Sequence, residues 1–253
     1  MLSELILKMA KDYQELHTSE IHLIPDNDDI EIQNKSINTA QLARENFFDA
    51  NLWYDVPLTP NGTPIVYPTS YIPENIINFV ERNKVASPQN YCVEMFVDDR
   101  RFSRIWKSFD KLLPELLKFQ GMCGPDVSNY LDIPPTISDA LNTLGKLLTA
   151  KLQQKGVRVI PTVSWRQPQS YSRSFDGIPH NSVLAISNNG VLGNVLSRHY
   201  FIEGAHALIE MRTPIMLLVI GSEMDELKDI TNIRYYPGYS QKLNKGGLYG
   251  RSR

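Results

Sequence analysis

The sequence predicts an α/β protein with a largely parallel sheet of five or six strands, either open or barrel-like in part, with flanking helices and an irregular N-terminal extension. Two observations favour this class. Apolar runs that do not alternate with polar residues, such as 182–187 and 215–220, are typical of strands buried on both faces. Segments with helical periodicity lie between these runs, as expected where crossover helices join parallel strands.

Strands and helices alternate from residue 90 onward. The central strand is predicted at 157–165, where an apolar run ends in small and polar residues. The helix before it, at 135–156, carries leucines at three- and four-residue spacing, and Gly156 suits its C-terminal cap. Further strands are predicted at 91–97, 182–187 and 214–222, with a short strand or turn at 121–128 and an edge strand at 232–237. Further helices are predicted at 102–119, 198–211 and 224–230.

The chain divides by pattern into three parts: an N-terminal region at 1–89, an α/β core domain at 90–240 and a flexible basic tail at 241–253. The N-terminal region begins with an amphipathic helix at 1–16 and continues through a solvated turn at 25–29. A segment rich in proline and aromatic residues follows at 51–73, and it is expected to wrap over the core or to form a lid, because proline removes backbone donors. A helix with proline in its first turn is predicted at 73–84.

Composition indicates a cytoplasmic protein without membrane contact. The formal net charge of −2 gives the whole chain no electrostatic attraction to nucleic acid or lipid. The longest apolar run is too short to span a bilayer, and the N-terminus lacks a secretory signal pattern. Cys92 and Cys123 have no metal-ligand spacing and are expected to be buried free thiols in a reducing compartment.

Polar residues follow the predicted strands. In a parallel sheet the residues just after each strand gather on one edge, where α/β proteins bind ligands. Such a set can bind a divalent metal through oxygen ligands, or a nucleotide or phosphodiester through arginines and amides, with Trp165 as a stacking plane. The same residue types also serve as loop and helix-cap residues. The candidate pocket residues are Asp98, Arg100, Arg101, Asp126, Ser164, Trp165, Arg166, Asn188, Asn189 and Glu223.

No motif identifies a reaction, and whether the protein is an enzyme stays open. His199, Glu203 and His206 have a spacing that places three ligands on one helix face, but their order is not that of a zinc protease. The sequence contains neither a phosphate-binding loop nor a Gly-x-Gly-x-x-Gly or Gly-x-Ser-x-Gly motif. No cofactor is therefore evident, apart from the divalent metal that the strand-end oxygens would allow.

Three stretches, 96–134, 156–190 and more faintly 215–221, carry a resemblance to a known family. Their most specific element is the run of IPTVSW, then FDGIP, then a strand ending in S-x-x-G, at close spacing. On these residues the chain resembles a family of phage and bacterial proteins grouped as a domain of unknown function. The resemblance implies a compact α/β domain, often phage-encoded, without an established activity. It also implies an early, non-virion protein expressed for replication or host takeover.

Two functional hypotheses follow. The first is a phage-encoded non-virion protein in the host cytoplasm that binds a host or phage macromolecule, either a protein or, through the basic tail, a nucleic acid. The second is an enzyme or ligand-binding protein with a nucleotide or phosphodiester site at the C-terminal edge of the sheet. A homo-oligomer is compatible with both. A concave pocket lined by Asp98, Asp126, Ser164, Trp165 and Asn188 would favour the second hypothesis.

Overall fold

The computed structural model describes residues 56–102, 104–239 and 241, and its seven strands lie in two parallel sheets. The first sheet has the order β1-β2-β3-β4, and the second has the order β5-β6-β7. Every strand pairs in parallel with the next strand along the chain within its sheet. The strands are β1 (Ile76–Asn78), β2 (Cys92–Glu94), β3 (Gly121–Cys123), β4 (Val159–Ile160), β5 (Val183–Ser187), β6 (Met216–Ile220) and β7 (Ile233–Tyr236).

Helices connect most of these strands, as crossovers in a parallel sheet require. The two longest precede β4 and β6. The α-helices are α1 (Asp99–Phe102), α2 (Arg104–Lys107), α3 (Phe109–Leu116), α4 (Pro135–Gln154), α5 (Tyr171–Ser174) and α6 (Val195–Arg212). Short 3-10 helices span Phe79–Lys84, Pro88–Asn90, Pro168–Ser170 and Asp225–Leu227. Gly156, just after α4, has a φ of +85°, the left-handed conformation expected of a C-terminal cap.

The two sheets share one interior, which makes the fold barrel-like rather than open. A parallel bridge between Thr162 and Ala185 links β4 to β5, so the strands follow chain order without the reversal of a doubly wound sheet. The hydroxyl of Tyr236 in β7 donates a hydrogen bond to the carbonyl of Pro73, just before β1. The interior side chains, which come from all seven strands, include Ile76, Cys92, Cys123, Ile160, Val183, Ala185, Leu218, Ile220 and Tyr236.

A second apolar layer lies on the outer face of β5 and β6. Leu184 and Ile186 of β5 pack there with Leu217 and Val219 of β6, against one face of α6. The helix contributes buried Phe201, Ala205 and Leu208 to this layer. Because β5 and β6 are buried on both faces, they read as continuous apolar runs in the sequence.

The predicted α/β class and parallel pairing are confirmed, with one strand more than expected. The helix predicted at 73–84 is wrong, since this stretch forms β1 and then a 3-10 helix. β1 has three residues and ends in a polar one, Asn78, which is too little to produce a recognisable apolar run. Its pairing with β2 places the start of the sheet before residue 90. Cys92 and Cys123 are buried and free, as predicted.

The described part of the proline-rich segment, from residue 56, lies against the helices and strands through backbone hydrogen bonds. The amide of Val66 donates to the carbonyl of Gly177. The backbone of Tyr67 exchanges two hydrogen bonds of 2.9 Å with the side chain of Gln153 on α4. The helix predicted at 1–16, the turn at 25–29 and the tail from 242 lie outside the described residues. Within the part of the chain that the structure describes, no helix has the length and apolar character of a membrane span.

Candidate functional site

A cleft of about 680 Å³ lies where the chain leaves β2, β3, β4 and β5, with the first turns of α6 completing its wall. Its position agrees with the general rule that ligands bind at the carboxyl ends of parallel strands. The structure brings six of the ten predicted pocket residues to this cleft. They are Asp98, Asp126, Ser164, Trp165, Arg166 and Asn189.

The other four predicted pocket residues lie elsewhere. The buried side chain of Asn188 joins the ends of β5 and β6: its Nδ2 donates to the carbonyl of Ser222 at 2.7 Å, and its Oδ1 accepts the amide of Ser222 at 3.0 Å. Arg100 is exposed and forms a two-bond ion pair with Asp98. Arg101 lies over the ring of Tyr239, and Glu223 is exposed outside the cleft.

Trp165 forms a fixed part of the cleft wall. Its indole Nε1 donates to the carbonyl of Tyr200 at 2.9 Å, and its ring stacks on Phe201 with centroids 5.6 Å apart. Phe175 contacts the indole edge-on at 5.9 Å. Phe201 thus occupies one face of the indole. The stacking surface that the sequence predicted for a ligand is therefore limited to the rest of the indole ring.

Ser164 is held by a neighbouring helix. Its Oγ donates to Oδ1 of Asn142 on α4 at 2.9 Å, and the Nδ2 of Asn142 donates onward to Oγ of Ser174 at 3.3 Å. Asn142 accepts the serine proton as a hydrogen bond but cannot remove it at neutral pH. Ser164 therefore lines the cleft as an oriented hydroxyl rather than as an activated nucleophile.

Arg166 brings a buried positive charge to the cleft. The residue is 6% exposed, and its Nη2 donates to the carbonyl of Leu131 at 2.5 Å. Among the described residues, its Nε has no acceptor, and no carboxylate lies within ion-pair distance of the guanidinium. Burying a cation without a counterion costs on the order of several kcal/mol, because the charge loses its hydration and gains no partner. The unpaired guanidinium is therefore a group to which an anion can bind, in a cleft that the carboxyls of Asp98, Asp126 and Asp132 also line.

Asn129 adds a second unpaired donor to the lining of the cleft. Its Oδ1 accepts a hydrogen bond from Oγ of Ser138 at 2.7 Å, while its buried Nδ2 has no acceptor within the described chain. Asn129 lies two residues before Leu131, the residue that Arg166 contacts, and both line the cleft. Nothing in the sequence distinguishes Asn129 from an ordinary loop asparagine, so it was not among the predicted site residues.

Carboxyl groups cluster on the same side of the cleft. Burial, followed by the charges of Asp99 and Glu94, raises the pKa of Asp126 to about 7. Burial also raises the pKa of Asp99, although the amide and hydroxyl of Ser128 donate to it. By contrast, hydrogen bonds from Arg100 lower the pKa of Asp98 to about 2. Asp126 is therefore the cleft carboxyl that changes protonation near neutral pH.

Glu94 anchors this cluster from the barrel interior. It is fully buried at the end of β2, where its Oε1 accepts Nδ2 of Asn78 at 2.5 Å and its Oε2 accepts the amide of Phe96 at 2.7 Å. It was missed as a candidate, although a carboxylate inside the apolar run 91–97 is a signal that could have found it. Buried carboxylates are rare outside paired or functional positions.

Within the described residues, no group of three or more His, Cys, Asp or Glu side chains has an arrangement that could hold a metal ion. His199 is 3.8 Å from Glu203 on α6, whereas His206 is 3.9 Å from Asp229. The helix-face triad considered from the sequence is thus divided between two pairs.

Comparisons with known proteins identify the family of the chain. Residues 56–237, which include all seven strands, match the family described as Domain of unknown function (DUF4417). The Gene 1 protein of Mycobacterium phage D29 is 28% identical over 186 residues, covering 72% of this chain and 68% of that protein. The Gene 1 protein of Mycobacterium phage L5 is also 28% identical over 186 residues, covering 72% of this chain and 81% of the relative. No solved structure matches significantly. The resemblance seen in the sequence is confirmed, and the chain belongs to the DUF4417 family, a domain of unknown function with homologues among phage Gene 1 proteins.

Proposed function

We propose that the cleft binds a small anionic ligand of the nucleotide or phosphodiester class. The observation that carries this proposal is the buried guanidinium of Arg166, which lines the cleft without a carboxylate partner among the described residues. A bound phosphate group would supply the missing negative charge. Arginine is suited to this role because its planar fork of donors matches the oxygens of a phosphate.

The remaining lining supports a nucleotide or phosphodiester over a simple inorganic anion. A volume of about 680 Å³ lies within the range of small-molecule sites, and it exceeds what a single phosphate needs. Aromatic rings lie beside the donors and offer apolar surface for a base or another flat group. They are Phe96, Tyr130, Trp165, Tyr200 and Phe201.

A purely structural role for Arg166 is the competing explanation, because its bond to Leu131 also fastens the 128–132 loop. Substitution separates the two roles. Arg166→Gln should weaken binding of nucleoside monophosphates and dinucleotides by about tenfold to a hundredfold, the range expected for losing a hydrogen bond to a charged group. Arg166→Lys keeps the charge but not the fork, and it should give an intermediate loss.

Binding can be followed through the indole Nε1–H resonance of Trp165, which lies in the wall of the cleft. Arg173→Gln is the matched control, since Arg173 is exposed, lies outside the cleft and loses the same charge. Thermal unfolding of each variant shows whether the fold is retained. Equal affinity in wild type and Arg166→Gln, or no binding of any probe to wild type, would reject the anion site.

A second candidate function is binding to a host or phage macromolecule, as an early non-virion protein of replication or host takeover. Its support is a group of exposed apolar side chains at the rim of the cleft, namely Leu192, Val195 and Leu196, of which Val195 is 88% exposed. Affinity capture from phage-infected cells with wild type and a Val195→Lys, Leu196→Lys double variant tests it. A partner retained by both proteins, or by neither, argues against this surface. Deletion of 242–253 tests a contribution of the basic tail to nucleic-acid binding.

A further inference from the structure

We propose that Asp126 is a proton-donating subsite of the cleft: its protonated carboxyl group donates a hydrogen bond to an oxygen of the bound anion, so that ligand and proton bind together. This inference rests on the proposed anion site and adds to it the chemistry of a second contact. It also restricts the ligand to groups that offer several acceptor oxygens, such as a phosphoryl or sulfuryl group.

Asp126 lies in the wall of the cleft. It follows β3 and the buried pair Gly124 and Pro125, and its half-buried side chain lines the cleft. Within the described residues, no donor and no cation is paired with its carboxyl. It therefore differs from Asp98, which also lines the cleft but forms an ion pair with Arg100. A half-buried carboxylate without donors is poorly solvated and gains from protonation.

The negative charges of two neighbouring carboxyl groups oppose ionisation of Asp126. They belong to Asp99, at the start of α1, and to Glu94, at the end of β2. Both accept hydrogen bonds from neighbouring donors, which stabilise their ionised forms. Asp98 and Asp132 add negative charge to the cleft wall, and Arg166 is its buried cation. The charges of Asp99 and Glu94 add to the effect of burial on Asp126, whose carboxylate has no donor to stabilise it among the described residues.

An ionised Asp126 would repel an anion, whereas a protonated Asp126 presents a donor to it. With Arg166 and Asn129, the lining of the cleft then offers a guanidinium, an amide and a carboxylic acid as donors, and the first two have atoms without an acceptor among the described residues. Because the pKa of Asp126 is about 7, binding below that pH uses a proton already present. Above it, binding takes one proton from solvent.

Sulfate is a suitable probe because it keeps its double charge across the neutral range, so any pH dependence comes from the protein. Its dissociation constant for wild type should be nearly constant below about pH 6 and should rise about tenfold per pH unit above about pH 7, the slope for uptake of one proton. Asp126→Asn, an isosteric neutral amide, should bind sulfate without this slope. Asp132→Asn, which removes the same charge from another cleft residue, is the matched control and should keep it.

Two further measurements test the role of Asp126 even if Asp126→Asn does not fold. Asp99→Asn removes a nearby like charge and should shift the onset of the slope to lower pH. Calorimetric titration of wild type at about pH 8, in two buffers of different ionisation enthalpy, should detect uptake of about one proton. Sulfate binding without pH dependence in wild type, or an unchanged slope in Asp126→Asn, would overturn the role of Asp126 and leave the anion site standing. Absence of sulfate binding in wild type at every pH would overturn the role of Asp126, and the anion site would fall with it if nucleoside monophosphates and dinucleotides also fail to bind.

Discussion

Gly204 allows Trp165 to form a wall of the cleft. A Cβ atom at this position of α6 would lie 1.9 Å from the indole Nε1 and 2.4 Å from two ring carbons, so a side chain forces the indole or the helix to move. The indole cannot move freely, because it is bonded to Tyr200 and stacked on Phe201. Overpacking of this kind typically costs about 1–3 kcal/mol.

Gly204→Ala should therefore lower the free energy of unfolding by about 1–3 kcal/mol, despite the better helix propensity of alanine. Urea denaturation measures the loss, and the indole Nε1–H resonance of Trp165 should shift. Gly193→Ala is the control, since a Cβ at Gly193 meets nothing within 4 Å. If both variants had the same stability and the same indole resonance, the close contact between helix and indole would be refuted.

Single residues of the cleft were only partly predictable. Placing polar residues after strands identified Arg166, Asp126 and Trp165, because chain direction alone brings those positions to one edge. It could not separate Asn188 from Asn189, which are adjacent and chemically identical. One is buried between two strand ends and the other lines the cleft, and this difference depends on the direction of each side chain, which the residue type does not specify.

Asn188 acts on two elements, because its amide joins the end of β5 to the segment after β6. Both hydrogen bonds to Ser222 are partly buried, and the nearby Gly221 leaves space for the amide: a Cβ there would lie 1.7 Å from Oδ1 of Asn188. Asn188→Ala should lower the free energy of unfolding by about 2–4 kcal/mol, since two bonds are lost and the backbone groups of Ser222 are left unpaired.

Asn189→Ala is the natural comparison for this prediction, as it removes the same amide from an exposed neighbour. Its stability should stay within about 0.5 kcal/mol of wild type. Hydrogen exchange of the Ser222 amide should accelerate in Asn188→Ala alone. Equal stability of the two alanine variants would show that the link between the strand ends contributes little.

The residues around each strand decided which strands the sequence revealed, since β2 and β4 are as short as β1 but lie within longer apolar runs. β5 and β6 each have five residues buried almost throughout, and both were predicted. β1 has three residues and lies between Pro73 and a 3-10 helix, so its pattern resembled a helix with an N-terminal proline. Asn78 of β1 donates a hydrogen bond to Glu94 of β2. No local sequence pattern marks this buried polar pair, because its two residues lie on different strands.

The barrel-like arrangement belongs to the whole molecule, and the strand patterns left it undecided. Buried parallel strands have the same apolar runs in an open sheet and in a barrel, because both faces are covered in either case. What distinguishes them is strand order, and here that depends on a single bridge, Thr162 with Ala185, and on interior packing between distant strands. Contacts such as Tyr236 with Pro73 join residues 163 positions apart, beyond the reach of any local pattern.

The half-buried Asp126 and the buried Lys146 should give the stability of the molecule a minimum near neutral pH. The pKa of Asp126 is raised from 3.8 to about 7, so the folded state binds more protons than the unfolded state between these values. The free energy of unfolding therefore falls as pH rises from about 4 to about 7. Burial lowers the pKa of Lys146 from 10.5 to about 8, so there the unfolded state binds more protons, and the free energy of unfolding rises again above about pH 8.

Urea denaturation at about pH 5, 7.5 and 9.5 tests both slopes, each limited to about 1.4 kcal/mol per pH unit for one proton. Asp126→Asn should remove the fall between the first two values, and Lys146→Met should remove the rise between the last two. Burial raises the pKa of Tyr171 and Tyr236 to about 12, so their loss of stability begins above this range. Each variant serves as the control for the other, because a general loss of structure would change both slopes. A wild type with no minimum, or a variant that alters the wrong slope, would show that these two groups do not control the pH dependence of folding.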